Sequence, residues 1–463
     1  MKRGEVSTQV TAYDLRHEAK EFLDPATVPG LGTFLRGGAP RLALHCLREN
    51  ERSTAFDTDS LLAGAGQQDA SQVAELRLAD GRDGDLAVTA AVWNCTGNLV
   101  GATFAHPDAS EGWASRGLLA AWNMQLESRE PEVVVEVDAG LTCLCFHPTR
   151  KQVVAAGTVT GEVLVLDLAE ADPGKRVVAR TTLQSEAHTE AVTGVSWKYS
   201  LVEQMRSGKG SAYQVVSAST DGQVLSWHPE NLGAPADRLV VVQGGAEVGI
   251  ACAHVGRSDA GGSADVAVGS EAGRVLVVEL RDREAGQAAD AGRRETRAPK
   301  TAHGGHAGPA TAVEWSPFSE RILLSSGSDG NVQVLNTVRA QPVVAFSPCA
   351  GGVTCAGWSP FRESVVAVGT GDGATLLFDL SRGVRRPAAE VRPGAAAEEE
   401  GRAGPVRAVA FNRMRRELIA TAQGRSVHVW ALPLSLTRRV GSDARMISAV
   451  ERGDPPGGMF RPS

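Results

Sequence analysis

Few of the signals that announce a membrane segment or a reactive centre occur in this 463-residue chain. No stretch of eighteen consecutive apolar residues appears, so no segment reads as a membrane-spanning helix. The chain begins MKRGEVSTQVTAYD, basic but without an apolar core, which is not the pattern of a secretory signal. Neither sign of charge is in large excess: 54 acidic residues face 47 basic ones, a net charge of −7. That balance gives no reason to expect a nucleic-acid footprint. The seven cysteines are odd in number, scattered, and form no CxxC, so they read as reduced thiols in a reducing compartment. Cys143 and Cys145 alternate within one apolar phrase and are expected to pack as small core residues.

Catalytic signatures are missing as well. Gly208-Lys209-Gly210 lacks the upstream glycine and the following hydroxyl of a phosphate-binding loop. Gly369–Ala374 (GTGDGA) reads as a strand-to-strand turn, because no helix pattern follows. His303 and His306 flank two glycines, but no cysteine or carboxylate completes a metal set at useful spacing. No HExxH or GxSxG occurs. The expectation is no catalytic residue, no metal, no cofactor and no enzymatic activity.

What the chain has is repetition. An apolar phrase recurs seven times: VTAAVW from Val88, LTCLCF from Leu141, VTGVSW from Val192, a degenerate VGIACA from Val248, ATAVEW from Ala310, VTCAGW from Val353 and VRAVAF from Val406. Each roughly alternates apolar with small or polar residues, the period of a strand. A turn follows most copies, then a second apolar run such as Val153–Ala156, Val215–Ala218, Ile322–Ser325 or Val365–Val368. Next comes a tight turn, STDGQ, GSDGN or GTGDGA among them; Asp-Gly suits such turns because glycine tolerates positive φ. A third run closes on a large residue and usually a polar one, as in Trp227-His228 and Phe378-Asp379. Weaker fourth runs lie at Val133–Val137, Val177–Leu183, Leu239–Val242 and Val343–Phe346.

Repeats of about 40–45 residues with this order are those of WD-repeat blades. One blade cannot bury both of its faces, so seven are expected to stack radially into an all-β, seven-bladed propeller. Polar inserts at Ala105–Arg116, Tyr199–Ser211 and Arg281–His306 belong at the rim. Two segments are candidates to close the ring, Gln72–Leu78 before the first blade and Leu434–Val440 after the last; the cleaner alternation favours the first. The aspartates expected of the repeat stand at Asp221, Asp329 and Asp372, and the histidines at His188 and His306. Their expected role is structural, tying turns to neighbouring strands by buried hydrogen bonds. Glu284–Gly305 and Arg385–Gly404 read as solvated linkers, and Gly441–Ser463 as disordered. The domain division is a tail over 1–65, mostly extended or helical, a propeller over 66–432, and a C-terminal tail over 433–463.

The N-terminal tail lacks the repeat. Ser7-Thr8-Gln9-Val10-Thr11 resembles the Thr-Gln-centred linear motif that binds the hub light chain of dynein, although Val6 stands where that motif usually has a basic residue. Such a peptide adds a strand to a sheet edge, with Gln9 as anchor. Leu31, Phe34 and Leu35 fit one helix face, and Leu42, Leu44 and Leu47 a second after Pro40. An apolar stripe of this kind needs a partner, either the propeller itself or a second small light chain.

The order of these features, with AFD at Ala55–Asp57 and SPF at Ser316–Phe318 and Ser359–Phe361, resembles the dynein intermediate chain family. The phrases VTAAVWNCTGNLVG, FHPTRKQVVAAGTVTGEVLVLDL and SPFSERILLSSGSDGNVQV resemble most the shorter-chain branch of cytoplasmic dynein-2, the motor of retrograde intraflagellar transport. The similarity runs from Val28 to Leu432. The resemblance implies a propeller that grips the heavy-chain tail and an N-terminal tail that recruits hub-type and roadblock-type light chains. It also implies a second intermediate chain as partner, no membrane insertion, and a location in the cytoplasm, the cilium or flagellum and the basal body. Two other readings use the same fold: a scaffold or substrate receptor of another complex, such as a ubiquitin ligase or a transport adaptor, and an enzyme working in the propeller channel. Co-purifying partners separate the first two, and turnover by the purified chain tests the third.

Overall fold

The computed structural model describes residues 70–78, 86–106, 116–126, 129–182, 185–207, 212–258, 262–282, 295–297, 299–303, 305–349, 351–393 and 404–454. The chain divides into two units, 1–67 and 68–463, and all described residues belong to the second. That unit is a seven-bladed propeller of antiparallel sheets.

The first strands of the blades are Ala87–Trp93, Leu141–Phe146, Val192–Tyr199, Ile250–Ser258, Ala310–Trp315, Val353–Trp358 and Val406–Phe411. They lie against one another in sequence around the axis, and strands two to four run outward from them. The degenerate copy thus forms its strand from Ile250, two residues after the phrase begins. The core is a ring of apolar seams between blades, such as Leu141, Leu144 and Val154 of blade two against Leu119 and Val135 of blade one.

The repeat phrase has a consequence that alternation alone does not convey. In all seven blades the pairing of strand one with strand two slips near its start: Val88/Ala90, Leu141/Cys143, Val192/Gly194, Ile250/Cys252, Ala310/Ala312, Val353/Cys355 and Val406/Ala408. A bulge re-aims the extra residue. In four blades that residue is a threonine whose hydroxyl donates to the first carbonyl of the next blade's inner strand. The four are Thr89 to Leu141 at 2.7 Å, Thr142 to Val192 at 2.5 Å, Thr193 to Ile250 at 2.9 Å and Thr354 to Val406 at 2.5 Å. Thr311 bonds instead to Ser326 of its own blade, at 2.8 Å.

The residue after the bulge sets how closely blades approach. Cys143, Cys252 and Cys355 occupy this position, each facing a glycine on strand two. A Cβ at Gly157, Gly269 or Gly369 would stand 2.4–2.8 Å from the sulfur. Burial pushes these three thiols up to about 12, and burial likewise takes Cys145 to about 11. They are packing atoms of the seams.

The ring closes through the N-terminal segment. Ser71–Arg77 pairs antiparallel with Ser426–Ala431 of blade seven, with a register slip that leaves Val73 bulged and exposed. Leu76 enters the core shared by blades one and seven. The alternative closing segment is helical: Leu434–Thr437 is a single turn, α2.

Three sequence expectations are corrected. The linker Glu284–Gly305 supplies two strands, Glu295–Arg297, parallel to Asp237–Gln243 of blade three, and Thr301–His303, the outer strand of blade four. Arg385–Gly404 supplies Ala389–Val391, the outer strand of blade six. Backbone hydrogen bonds to a waiting strand edge order these polar segments, a gain that composition does not display. Gly441–Arg452, expected to be disordered, is a helix, α3, whose Met446, Ile447 and Val450 pack into the seam of blades five and six.

Leu76→Ala is expected to destabilise the propeller by about 2–5 kcal/mol, the usual cost of emptying a buried leucine site. Urea unfolding of the variant checks this, and an unchanged midpoint would show that the closing strand contributes no packing.

Candidate docking surfaces and blade seams

The residues singled out from sequence fall into turn clusters. In blade three, His188 Nδ1 lies 3.2 Å from the Asp221 carboxylate and Nε2 lies 2.8 Å from Ser217 Oγ. Trp227 Nε1 donates to the same hydroxyl at 2.8 Å. Asp221 also accepts the Thr189 and Gln223 amides. Burial opposes its charge, but His188 and these amides outweigh that and hold it below the usual carboxylate range. Blade five repeats the His306–Asp329 and His306–Ser325 contacts, at 3.2 and 3.1 Å, and the two amide bonds to Asp329, from Ala307 and Asn331, but lacks the indole bond because Leu335 replaces the tryptophan. Asp372 of blade six has no histidine and pairs with Arg392 at 2.8 Å. Each of these groups is thus engaged with a neighbouring side chain. His303 bonds the Arg339 carbonyl at 2.7 Å rather than joining His306. Among the described residues no group of three or more His, Cys, Asp or Glu is arranged to hold a metal ion.

A second construction was not foreseen. Arg362, in the Ser359-Pro360-Phe361 turn of blade six, is 1 % exposed. Its guanidinium bonds the Asp443 carboxylate at 2.8 and 3.0 Å, Asp379 at 2.9 Å and the Ser435 carbonyl at 2.5 Å. Ser364 joins both aspartates at 2.7–2.8 Å. Asp443 also accepts the Val440 amide, capping the start of α3. At the other end, Asn336 Nδ2 donates to the Val450 and Glu451 carbonyls, and Arg339 to those of Arg452 and Gly453. Gly453 ends the helix at φ 81°. One sequence signal for α3 existed, an acidic residue in the first turn with a glycine after the last, but the polar Asp-Pro-Pro-Gly-Gly run beside it hid it.

The seams are not equivalent. In blades one and three the inner-strand tryptophan donates its indole N–H to the preceding blade: Trp93 to Ala410 at 3.0 Å and Trp197 to Cys145 at 3.1 Å. In blades five and six the preceding inner strand carries a polar side chain that takes the tryptophan's backbone amide instead. Trp315 donates to His254 Nδ1 at 3.3 Å and Trp358 to Glu314 at 2.7 Å. Among the described residues the indole nitrogens of Trp315 and Trp358 then have no partner. Burial lowers His254 to about 4, aided by the Arg413 charge. Burial raises Glu314 to about 7, against the Trp358 amide and the Arg413 charge. Trp315 borders a cavity of about 160 Å³ with Gly256, Asp265 and Lys300, and α3 covers the Trp358 seam.

The two faces also differ. Antiparallel strands place the one-to-two and three-to-four connections on one face and the others on the opposite face. Leu126, Met205, Val338, Met414 and Leu434, five of the exposed large apolar side chains, follow first or third strands and so share a face. Met205 sits on Leu201–Ser207, α1, the helix that fills the blade-three insert. Ser7 to Thr11, and Leu31, Phe34, Leu35, Leu42, Leu44 and Leu47, lie outside the described residues.

Geometry of this kind, with polar groups spent on holding blades together and apolar side chains gathered on one face, defines a WD-repeat β-propeller. Comparison with known proteins narrows it. The family model described as "Dynein axonemal intermediate chain 3 WD40 domain" matches residues 247–391, which span blades four to six. The chain is 30 % identical over 443 residues to "Cytoplasmic dynein 2 intermediate chain 2" of Homo sapiens, covering 91 % of this chain and 80 % of that protein. The Mus musculus protein of the same name is 30 % identical over 442 residues, covering 91 % and 79 %. The chain belongs to the dynein intermediate chain family.

Arg362→Ala leaves Asp443 buried without its cation and Asp379 with only the exposed Arg382 at 3.5 Å, a loss of about 3–5 kcal/mol. It is expected to release α3, seen as faster amide exchange over 441–452 than in wild type. Unaltered exchange there would refute the clamp. Glu314 is expected to make stability pH-dependent. With its folded pKa raised from 4.5 to about 7, the folded state holds a proton that the unfolded state has lost. Stability therefore falls as pH rises through that window and stays lower above it. Glu314→Gln removes the fall: it should raise the urea midpoint near pH 8 and change it little near pH 4. A shift of equal size at both values would exclude the carboxyl as its source.

Proposed function

We propose that the chain is a non-catalytic intermediate chain of a cytoplasmic dynein-2 motor, acting in retrograde intraflagellar transport. In this reading the propeller binds the heavy-chain tail. The segment before it captures a hub-type light chain through Ser7–Thr11 and a roadblock-type light chain through the Leu31–Leu47 region. The similarity that carries the reading extends over 91 % of the chain rather than the repeats alone. A generic propeller scaffold needs only the blade pattern to match. The chain would work in the cytoplasm, the cilium or flagellum and the basal body.

Pairing follows from valency. A dimeric light chain that holds two intermediate-chain tails makes the second contact intramolecular, at an effective concentration on the order of millimolar. Short, weak motifs then suffice, and the second tail comes from another intermediate chain. The heavy chain does the ATP chemistry, and this subunit contributes assembly.

The test is capture by the purified full-length chain of a dynein-2 heavy-chain tail and of each light chain. Thr8→Ala with Gln9→Ala is expected to abolish hub light-chain capture and leave thermal unfolding of the propeller unchanged. Removal of residues 1–65 is expected to retain the heavy chain. Hub capture by the double variant would remove the motif assignment, and heavy-chain loss on truncation would move that contact to the tail.

A further inference from the structure

The net charge of the chain is −7, yet one sector of one face is strongly cationic. It is built from three segments. The loop between strands three and four of blade six carries Arg385 and Arg386, the loop between strands one and two of blade seven carries Arg413 and Arg416, and the α2–α3 region carries Arg438 and Arg445. All six side chains are exposed. None forms an ion pair with a carboxylate among the described residues, whereas the neighbouring exposed Arg382 and Arg439 are matched by Asp379 and Glu363. Glu363, the carboxylate beneath this surface, is buried and occupied by Arg439.

The segments are contiguous. Ser442 of α3 lies 3.4 Å from Ser381, at the start of the blade-six loop. Arg416 stacks 5.9 Å above the Phe361 ring, joining the blade-seven loop to blade six. The Arg413 charge acts on Cys145, His254 and Glu314, on the inner strands of blades two, four and five. Met414 and Leu434, each 62 % exposed, stand among these arginines.

We infer that this sector is a docking surface for an acidic, amphipathic segment of a protein partner. Guanidinium groups pair with carboxylates in a fixed two-pronged geometry, and two apolar anchors give such a segment something to bury. An extended polyanion would meet the acidic remainder of the molecule and gain nothing from Met414 and Leu434. The acidic run Glu398–Glu400 of this same chain is an unsuitable occupant. The strand ends that flank it, Val391 and Val406, open on the opposite face. Under the function proposed above the partner is the heavy-chain tail, and only that identification rests on that reading.

The experiment uses the full-length chain and a labelled synthetic helix with glutamates on one face and leucines on the other, followed by fluorescence anisotropy. Binding should weaken steeply with salt and fall about tenfold or more in Arg413→Glu with Arg416→Glu, and again in Arg386→Glu with Arg438→Glu. Arg274→Glu, in a turn on the opposite face, should leave it unchanged. Thermal unfolding of each variant reports folding separately. Equal binding by wild type and both double variants would overturn the inference. Tighter binding of single-stranded DNA or of anionic phospholipid vesicles than of the peptide would overturn it too. Displacement of the peptide by the heavy-chain tail supports both the surface and the partner. Peptide binding that the heavy chain does not displace keeps the surface and removes the heavy chain as its occupant.

Discussion

Pairing of Ser71–Arg77 with Ser426–Ala431 is the contact on which the rest of the propeller depends. Every other blade takes its four antiparallel strands from one continuous run of chain, the added parallel strand Glu295–Arg297 of blade three apart, so these strands find each other locally. Blade seven is completed only when a strand from before blade one crosses to it. Without that strand blade seven exposes an unpaired edge and the blade-one core loses Leu76. The amide of Val88 also donates across this junction to Gly424, at 2.8 Å, and Asn412 reaches the Gly97 carbonyl at the same distance. Closure is therefore a cluster of main-chain and side-chain bonds at one seam, and it makes seven marginal sheets one body.

Around the ring the same problem is solved repeatedly with small means. A bulge turns a threonine toward the next blade, and a glycine opposite a cysteine lets the strands approach. At two seams the polar residues His254 and Glu314 take a tryptophan amide, and the indole bond seen at Trp93 and Trp197 is missing. At the Glu314 seam the chain covers the disturbance with its own α3, held by Arg362 at one end and Asn336 at the other. Arg362 at the blade-six turn and Asp379 at the end of its third strand occupy ordinary repeat positions. The latch thus grows out of the repeat and needs no added element beyond α3.

Much of this was legible in the sequence. Apolar alternation located the first strands, which are partly exposed on one face, and continuous apolar runs located the second and third, which are buried on both. Asp-Gly turns marked the hairpins, and the cleaner alternation of Gln72–Leu78 identified the closing strand. What stayed hidden has a common cause: it depends on neighbours distant in the chain. Thr89, Thr142, Thr193 and Thr354 recur visibly, but their direction follows from the bulge, which has no signature of its own. Glu295–Arg297 is polar and becomes a strand only because an edge is available to it. The helix α3 presents just Met446, Ile447 and Val450 to the seam, too short a stripe to outweigh the run of prolines and glycines beside it. His188 and Asp221 were legible together because the blade repeat assigns them fixed positions. Arg362 and Asp443 are 81 residues apart and carry no such pattern.

The order of the closing strand in the chain has a bearing on synthesis. Gln72 and the His428 it touches are 356 residues apart. At about 5–20 residues per second, a ribosome needs roughly twenty to seventy seconds to deliver the second partner after the first. Throughout that interval the first strand is an uncovered template for pairing with other nascent chains. Birth of this subunit is thus a timed hazard, and cells making it in quantity are exposed to early cross-pairing between neighbouring polysomal products before any ring exists.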